Sequence, residues 1–147
     1  HDAVILPGAQ LLYGYGEATV PKITITLRKS YGGSHIVMGC KQLRADLNFA
    51  WPSSEIAVMG ASGAVAVLCG KEAKAKKEAG EDVKAFLAEK EQEYTDKFAN
   101  PYQAAQYGYI DDVIEPRNTR FRICRGLAQL ATKRQSLPAK KHGCMPM

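Results

Sequence analysis

The sequence predicts an α/β fold. Two successive segments, residues 22–40 and 55–68, each read as a short strand, a turn of small residues and a helix. Further along, an amphipathic helix at residues 83–98 precedes another strand at residues 109–114. Alternating strands and helices are typical of α/β proteins. The 147 residues and an apolar content of 46% suit one globular domain.

A helix and a strand come first. Residues 9–19 carry apolar side chains at helical spacing, and Pro21 ends this helix. Residues 22–27, "KITITL", alternate apolar and polar side chains, and this period of two predicts a strand. Residues 30–33 are predicted as a turn that contains two glycines, and residues 34–40 as a short helix.

The second unit repeats this order. Residues 55–59, "EIAVM", predict a short buried strand. Residues 60–64, "GASGA", predict a turn of small residues, and a helix follows from Val65. Between the two units, Trp51 and Pro52 are expected in a loop.

The remaining chain is predicted to be mostly helical. Residues 71–82 are charged and indicate a solvated connection or a helix end, and a short helix at residues 101–107 follows the amphipathic one. Pro116 opens a last helix that reaches Lys133. Its inward face is predicted to carry Phe121, Cys124, Leu127 and Ala131. Residues 137–147 predict an extended tail, since they contain two prolines and show no periodicity.

The net charge of +5 comes from the C-terminal end, where residues 117–147 hold basic groups and no acidic one. Such an end can meet phosphate, nucleic acid or an acidic surface, or it is a solvated face. Nucleic-acid binding is not expected, because aromatic residues do not interleave with the basic ones. No apolar run reaches the roughly 18 residues of a membrane span, so no membrane insertion is expected.

The cysteines indicate a cytoplasmic protein with reduced thiols. No two of them have C-x-x-C spacing, so neither a zinc site nor another metal site is expected. A chain of this size needs no disulfides to fold. The four cysteines are Cys40, Cys69, Cys124 and Cys144.

The turn "YGGS" at residues 31–34 is the most informative stretch. A strand that leads through glycines into a helix presents backbone N–H groups without intrahelical partners, and glycine lets a ligand approach closely. Such a place suits a phosphate or a developing oxyanion, and a plain turn is the alternative. It is neither a Walker A loop nor a dinucleotide fingerprint, because G-K-[ST] and a third glycine are missing.

Few other groups suggest chemistry. His35 is a candidate acid or base, and a structural role is its alternative. Asp111 and Asp112 are not expected to share a site, because neighbours in a strand point to opposite faces. Ser62 in "GASGA" lies one place off the nucleophile-elbow pattern and is not expected to be a nucleophile.

Long motifs then carry a family resemblance. "ADLNFAWP", "EIAVMG" and "GYIDDVIEPR", with the terminal "PAKKHGCMP", closely resemble the C-terminal half of biotin-dependent acyl-CoA carboxyltransferases. These are the β subunits of propionyl-CoA and acetyl-CoA carboxylases and the α subunits of methylmalonyl-CoA decarboxylases. The resemblance implies a crotonase-like α/β fold, of which residues 1–147 form the C-terminal part of the biotin-binding domain, an incomplete domain. The acyl-CoA-binding N-terminal domain is absent from this sequence.

The same resemblance assigns roles to the glycine turn. It implies that Gly33 and Ser34 donate backbone N–H groups to the ureido oxygen of biotin, an oxyanion hole in which Gly32 shapes the turn. It further implies that Tyr31, His35 and Ile36 shape the biotin or acyl pocket. Because biotin itself can take the α-proton of the thioester, no catalytic side chain is required.

The resemblance also implies partners. Carboxybiotin would arrive on a biotin carboxyl carrier protein that a biotin carboxylase subunit loads, and acyl-CoA would be the second substrate. A homo-oligomer with active sites across subunit boundaries is expected. The sequence leaves open a methylmalonyl-CoA decarboxylase α subunit, which runs the reverse transfer, and a truncated, non-catalytic assembly module.

Overall fold

The computed structural model describes residues 5–137 together with residues 143 and 145. The predicted tail from residue 137, with Cys144, therefore lies almost entirely outside the described residues. The α-helices in chain order are α1 (Ile5–Glu17), α2 (Gly32–Val37), α3 (Ala61–Leu68), α4 (Gly70–Glu78), α5 (Val83–Phe98), α6 (Pro101–Gln106) and α7 (Thr119–Gln129). The strands are β1 (Ile23–Thr26), β2 (Lys29–Tyr31), β3 (Leu47–Ala50), β4 (Glu55–Ala57) and β5 (Asp112–Val113).

The strands form two parallel sheets, which confirms the predicted α/β class. The first sheet has the order β1-β3-β5, with Ile25 beside Phe49 and Phe49 beside Asp112. The second sheet pairs β2 with β4, so that Tyr31 lies beside Ala57. The carboxyl ends of β2 and β4 therefore lie side by side, and each strand leads into a helix.

Local sequence explains where the helices begin. The Asp82 carboxylate accepts hydrogen bonds from the backbone N–H groups of Lys84 and Ala85, which caps α5. Asn100 caps α6 in the same way by accepting from the N–H of Gln103, and Pro101 fits the first helical position. The predicted bounds of both helices are confirmed within one residue.

Strand β3 is missing from the sequence prediction, although it is the central strand of its sheet. Its residues "LNFA" show no period of two, because Asn48, Phe49 and Ala50 are all buried. Burial on both faces is the expected state of a strand inside a parallel sheet. The strand predicted at residues 109–114 is likewise shorter than expected and is confined to β5.

The chain around the glycine pair also differs from the prediction. The strand that enters the turn is β2, and not the "KITITL" strand of the other sheet. Ser30 and Tyr31 belong to β2, and α2 already begins at Gly32, so the predicted four-residue turn is wrong. The charged connection is a helix, α4, over most of its length, and Gly80 follows it with a φ of +76°.

Helix α7 turns a different face inward than predicted. Phe121, Cys124 and Leu127 are exposed, and Ala131 lies beyond the end of the helix. Gly126 is buried instead, and a Cβ there would lie 2.8 Å from Leu47 Cδ1. The helix face is set by this close approach to the sheet, which the apolar pattern of α7 does not reveal.

The core joins both sheets. Its buried cluster consists of Ala50, Ile56, Ala104 and Ile110, with Ala105 and Val113 packed against it. An ion-pair cluster lies where β1 and β3 begin, at the amino-terminal ends of these strands. There Asp46 accepts hydrogen bonds from the backbone N–H of Lys22 at 2.7 Å and from Lys133 Nζ at 2.8 Å.

Candidate active site

The glycine pair opens α2 directly after β2. Gly32 has a φ of +49°, and a Cβ at this position would lie 2.7 Å from the carbonyl oxygen of Val58. Only glycine fits both conditions without strain. Gly33 is different, because it is exposed and a Cβ there would meet nothing within 4 Å. Gly32 therefore shapes the turn, while Gly33 faces open space.

The second small-residue segment lies beside the first, but the turn predicted at residues 60–64 is wrong over most of its length, because α3 already begins at Ala61. Helix α3 begins after its N-cap Gly60, just as α2 begins after Tyr31. A Cβ on Gly60 would lie 3.4 Å from the ring of Tyr31, so the aromatic ring packs directly on the second turn. The β2–α2 and β4–α3 turns consequently form one continuous surface.

The amides at the start of α2 are available for an acceptor. The first N–H groups of a helix have no intrahelical partner, and no side chain caps α2. The Ser34 hydroxyl points back along the chain and donates to the carbonyl oxygen of Tyr31 at 2.7 Å. Any contact of Ser34 with a ligand in front of the turn would thus come from its backbone. This arrangement suits an anion or a developing oxyanion.

Tyr31 supports the turn. Its hydroxyl donates to the Glu55 carboxylate at the beginning of β4. Burial, followed by the hydrogen bond to Glu55, raises the pKa of Tyr31 to about 12. The phenol therefore stays neutral and connects the two neighbouring strands.

His35 lies on α2 one residue after the two amides. Its Nδ1 lies 2.9 Å from Ser30 Oγ in β2. Burial lowers the pKa of His35 below its ordinary value of 6.5, so the imidazole is mostly neutral near pH 7. A neutral imidazole offers one donor and one acceptor.

A groove of about 660 Å³ runs beside the start of α2. Of the six predicted site residues, Gly32, His35 and Ile36 line this groove, whereas Tyr31, Gly33 and Ser34 do not. Ile36 is 49% exposed and borders the groove. The structure thus separates the predicted residues into a turn with free amides and a groove wall.

Four aromatic side chains of the groove were not predicted as site residues. They come from α5 and from the segment around α6, and they are Tyr94, Phe98, Tyr107 and Tyr109. The sequence concentrates these four rings within sixteen residues, which was the available signal. Their wall is apolar, with Val58 and Leu68 beside it, and it suits an uncharged ligand or an apolar protein surface.

The other candidate groups do not form a second site. Asp111 pairs with Lys41 and Asp112 pairs with Arg122, so the two carboxylates point apart, as predicted. Ser62 lies exposed on α3. Among the described residues, no three His, Cys, Asp or Glu side chains gather where they could hold a metal ion. No helix within residues 5–137 has the length and apolar character needed to cross a membrane.

Comparison with known proteins gives a consistent result. Residues 1–145 match the carboxyl transferase domain. The propionyl-CoA carboxylase beta chain of Saccharopolyspora erythraea is 52% identical over 99% of this chain and 27% of that protein. The methylmalonyl-CoA carboxyltransferase 12S subunit of Propionibacterium freudenreichii subsp. shermanii is 53% identical with the same coverage.

A solved structure agrees with these relatives. A crystal structure of transcarboxylase 12S, with methylmalonyl-coenzyme A and methylmalonic acid bound, superposes with a TM-score of 0.88 at 53% identity. The match covers 99% of this chain and 27% of that one. The chain therefore spans about a quarter of the length of the relatives it matches, and its fold is the predicted crotonase-like one.

Proposed function

The chain belongs to the carboxyl transferase domain family, and from this premise we propose that the protein transfers a carboxyl group between carboxybiotin and the α-carbon of a short acyl-CoA. Propionyl-CoA and methylmalonyl-CoA are the expected pair. The observation that carries the proposal is the 53% identical structure with methylmalonyl-coenzyme A bound, which matches nearly the whole chain. Residues 1–147 would form part of the biotin-binding domain.

The amides of Gly33 and Ser34 supply the oxyanion hole in this proposal. Biotin provides the carboxyl group and a ureido oxygen that becomes negatively charged when the group leaves. The open space in front of Gly33 leaves room for a planar ureido ring, and both amides belong to the uncapped start of α2. Preorganised N–H donors stabilise such charge at little reorganisation cost.

The groove wall has a complementary role. Gly32, His35 and Ile36 would shape the pocket for biotin or for the acyl chain, together with the aromatic wall of α5 and α6. Tyr31 would support these residues from the side of the second turn, since its ring packs on Gly60 and its hydroxyl donates to Glu55. An apolar Ile36 suits a short hydrocarbon chain without fixing its length.

The proposed partners are a biotin carboxyl carrier protein, a biotin carboxylase subunit and further copies of the same chain. Val58 and Leu68, which line the groove, are 78% and 70% exposed, and Val67, next to Leu68 on α3, is 74% exposed. Apolar side chains exposed together are typical of interaction surfaces. A hexamer and a multienzyme core are described for the transcarboxylase 12S structure. The free thiols of Cys40, Cys69 and Cys124 are consistent with a cytoplasmic location.

Carboxyl exchange tests this function. The complete protein is incubated with methylmalonyl-CoA, labelled in its free carboxyl group, and with a biotinylated carrier protein. We expect the label to move from methylmalonyl-CoA to the biotin of the carrier. In the reverse experiment, a carrier with a labelled carboxyl group should pass the label to propionyl-CoA. A carrier that lacks biotin is the control. If no short acyl-CoA exchanges label under these conditions, the proposed function is wrong.

A further inference from the structure

His35 occupies a distinctive position on the groove wall. It lies on the same helical turn as the two amides proposed to bind the ureido oxygen, and it lines the 660 Å³ groove. Most of the groove is apolar, and Val58, Leu68 and Phe98 are representative of its wall. In a largely apolar groove, one placed hydrogen-bonding group such as a ring nitrogen can fix the orientation of a ligand.

Ser30 fixes the orientation of this ring. The Ser30 hydroxyl lies 2.9 Å from Nδ1, and Ser30 is held in β2 beside Ile56 of β4. Ile56 is buried and also lines the groove. Within the described part of the chain, the other ring nitrogen, Nε2, has no hydrogen-bond partner. The imidazole is therefore anchored on one side and free on the other.

We propose that the Ser30 hydroxyl donates to Nδ1 of His35 and so holds the Nε2–H tautomer, whose N–H donates to a carbonyl oxygen of the substrate in the groove. This inference rests on the proposed carboxyl transfer. The carbonyl oxygen belongs either to the ureido ring of biotin or to the acyl thioester, because both would approach the start of α2. The neutral state that burial favours leaves His35 a single donor for this contact.

Two substitutions separate this role from a structural one. In the complete protein, His35→Gln places an amide N–H near the position of Nε2, while His35→Asn places one near Nδ1 and keeps the partner of Ser30. We expect Gln to transfer carboxyl groups within about threefold of the wild type. We expect His35→Asn to raise the KM for the substrate whose carbonyl is bound roughly 5- to 10-fold, the usual effect of losing one hydrogen bond. If His35 served only to bind Ser30, the Asn variant should be closer to the wild type than the Gln variant.

The two substrates identify the carbonyl. A KM increase for methylmalonyl-CoA alone assigns the thioester, and an increase for free biotin as acceptor assigns the ureido oxygen. Ser30→Ala, which leaves His35 intact, should raise the same KM and serves if a His35 variant does not fold. The inference would be overturned if His35→Asn and Ser30→Ala both kept wild-type KM values. It would also be overturned if His35→Asn transferred carboxyl groups better than His35→Gln. A wild-type protein without transfer would instead overturn the proposed function.

Discussion

The apolar residues of the three-stranded sheet are far less exposed than several of those that follow the strands of the two-stranded sheet. At the three-stranded sheet, formed by β1, β3 and β5, Phe49, Ala50 and Ile114 are at most 6% exposed. In the two-stranded region, formed by β2, β4 and helices α2, α3 and α5, Val58 is 78% exposed and Val67 is 74% exposed. The first region closes a core, whereas the second keeps apolar surface around the glycine turns, where a ligand or a partner can cover it.

The largest expected effect tests the closed core. Phe49→Ala should lower the free energy of unfolding by about 3–5 kcal/mol, because a nearly buried ring leaves a cavity in the central strand. The matched control is Phe98→Ala, whose ring is 46% exposed on the groove wall. It should cost about 1 kcal/mol, the scale of one aromatic pair with Tyr94. Urea unfolding of the complete protein measures both, and equal losses would contradict the contrast between the regions.

Within the glycine turn of the two-stranded region, Gly32 is conformationally constrained and Gly33 is not. Gly32→Ala should cost about 1–3 kcal/mol, since it forces a side chain into a positive φ. Contact with the Val58 carbonyl oxygen adds to this strain. Gly33→Ala should leave stability unchanged or slightly improved, because its Cβ would enter open space. Thermal unfolding distinguishes the two, and a more damaging Gly33→Ala would refute the assigned division of roles.

A smaller effect belongs to the ion-pair cluster of the three-stranded region. Burial alone would raise the pKa of Asp46, but hydrogen bonds from Lys133 and from the Lys22 N–H, with both positive charges, lower it. A lowered pKa means that the stabilisation is complete above about pH 4, the unfolded value, and is lost as pH falls through the folded value. Asp46→Asn should therefore cost about 1–3 kcal/mol at pH 7.

The pH dependence provides the check for Asp46. The difference in unfolding free energy between wild type and Asp46→Asn should shrink as the pH is lowered below about 4. A difference that stays constant from pH 7 to pH 3 would show that the negative charge of Asp46 is not what stabilises the cluster.

The smallest expected effect concerns the exposed apolar surface. Val58→Ser should change the free energy of unfolding of a single subunit by no more than about 0.5 kcal/mol, because the side chain is 78% exposed. If this surface lies between subunits, the substitution should instead weaken association, which sedimentation velocity detects. A loss above 1 kcal/mol without any change in association would mean that Val58 packs within the subunit.

Local sequence patterns predicted the elements whose signals are carried by neighbouring residues. The alternation of Ile23 and Ile25 with Thr24 and Thr26 gave β1, and Asp82 gave the start of α5. Strand β3 was missed because it is buried on both faces, and the inward face of α7 was missed because Gly126 selects it by close approach. Neither effect is visible in a local apolar period.

The candidate site was predictable to a similar extent. The glycine turn and its free amides follow from local sequence, and the structure places them at the uncapped start of α2. The groove was not predictable, because Tyr94 and Phe98 come from a helix more than fifty residues away from the turn. A wall built from distant elements depends on tertiary packing and leaves only a local excess of aromatic residues.

The most direct test of the account is carboxyl transfer by Gly33→Pro compared with Ser34→Ala in the complete protein. Proline removes the Gly33 N–H while its fixed φ remains compatible with the first helical turn. Losing one oxyanion donor should lower the transfer rate by at least about a hundredfold. Ser34→Ala should transfer at nearly the wild-type rate, since only its backbone contributes, and thermal unfolding should show both variants folded. Wild-type transfer by a folded Gly33→Pro variant, or a hundredfold loss in Ser34→Ala, would contradict the proposed oxyanion hole.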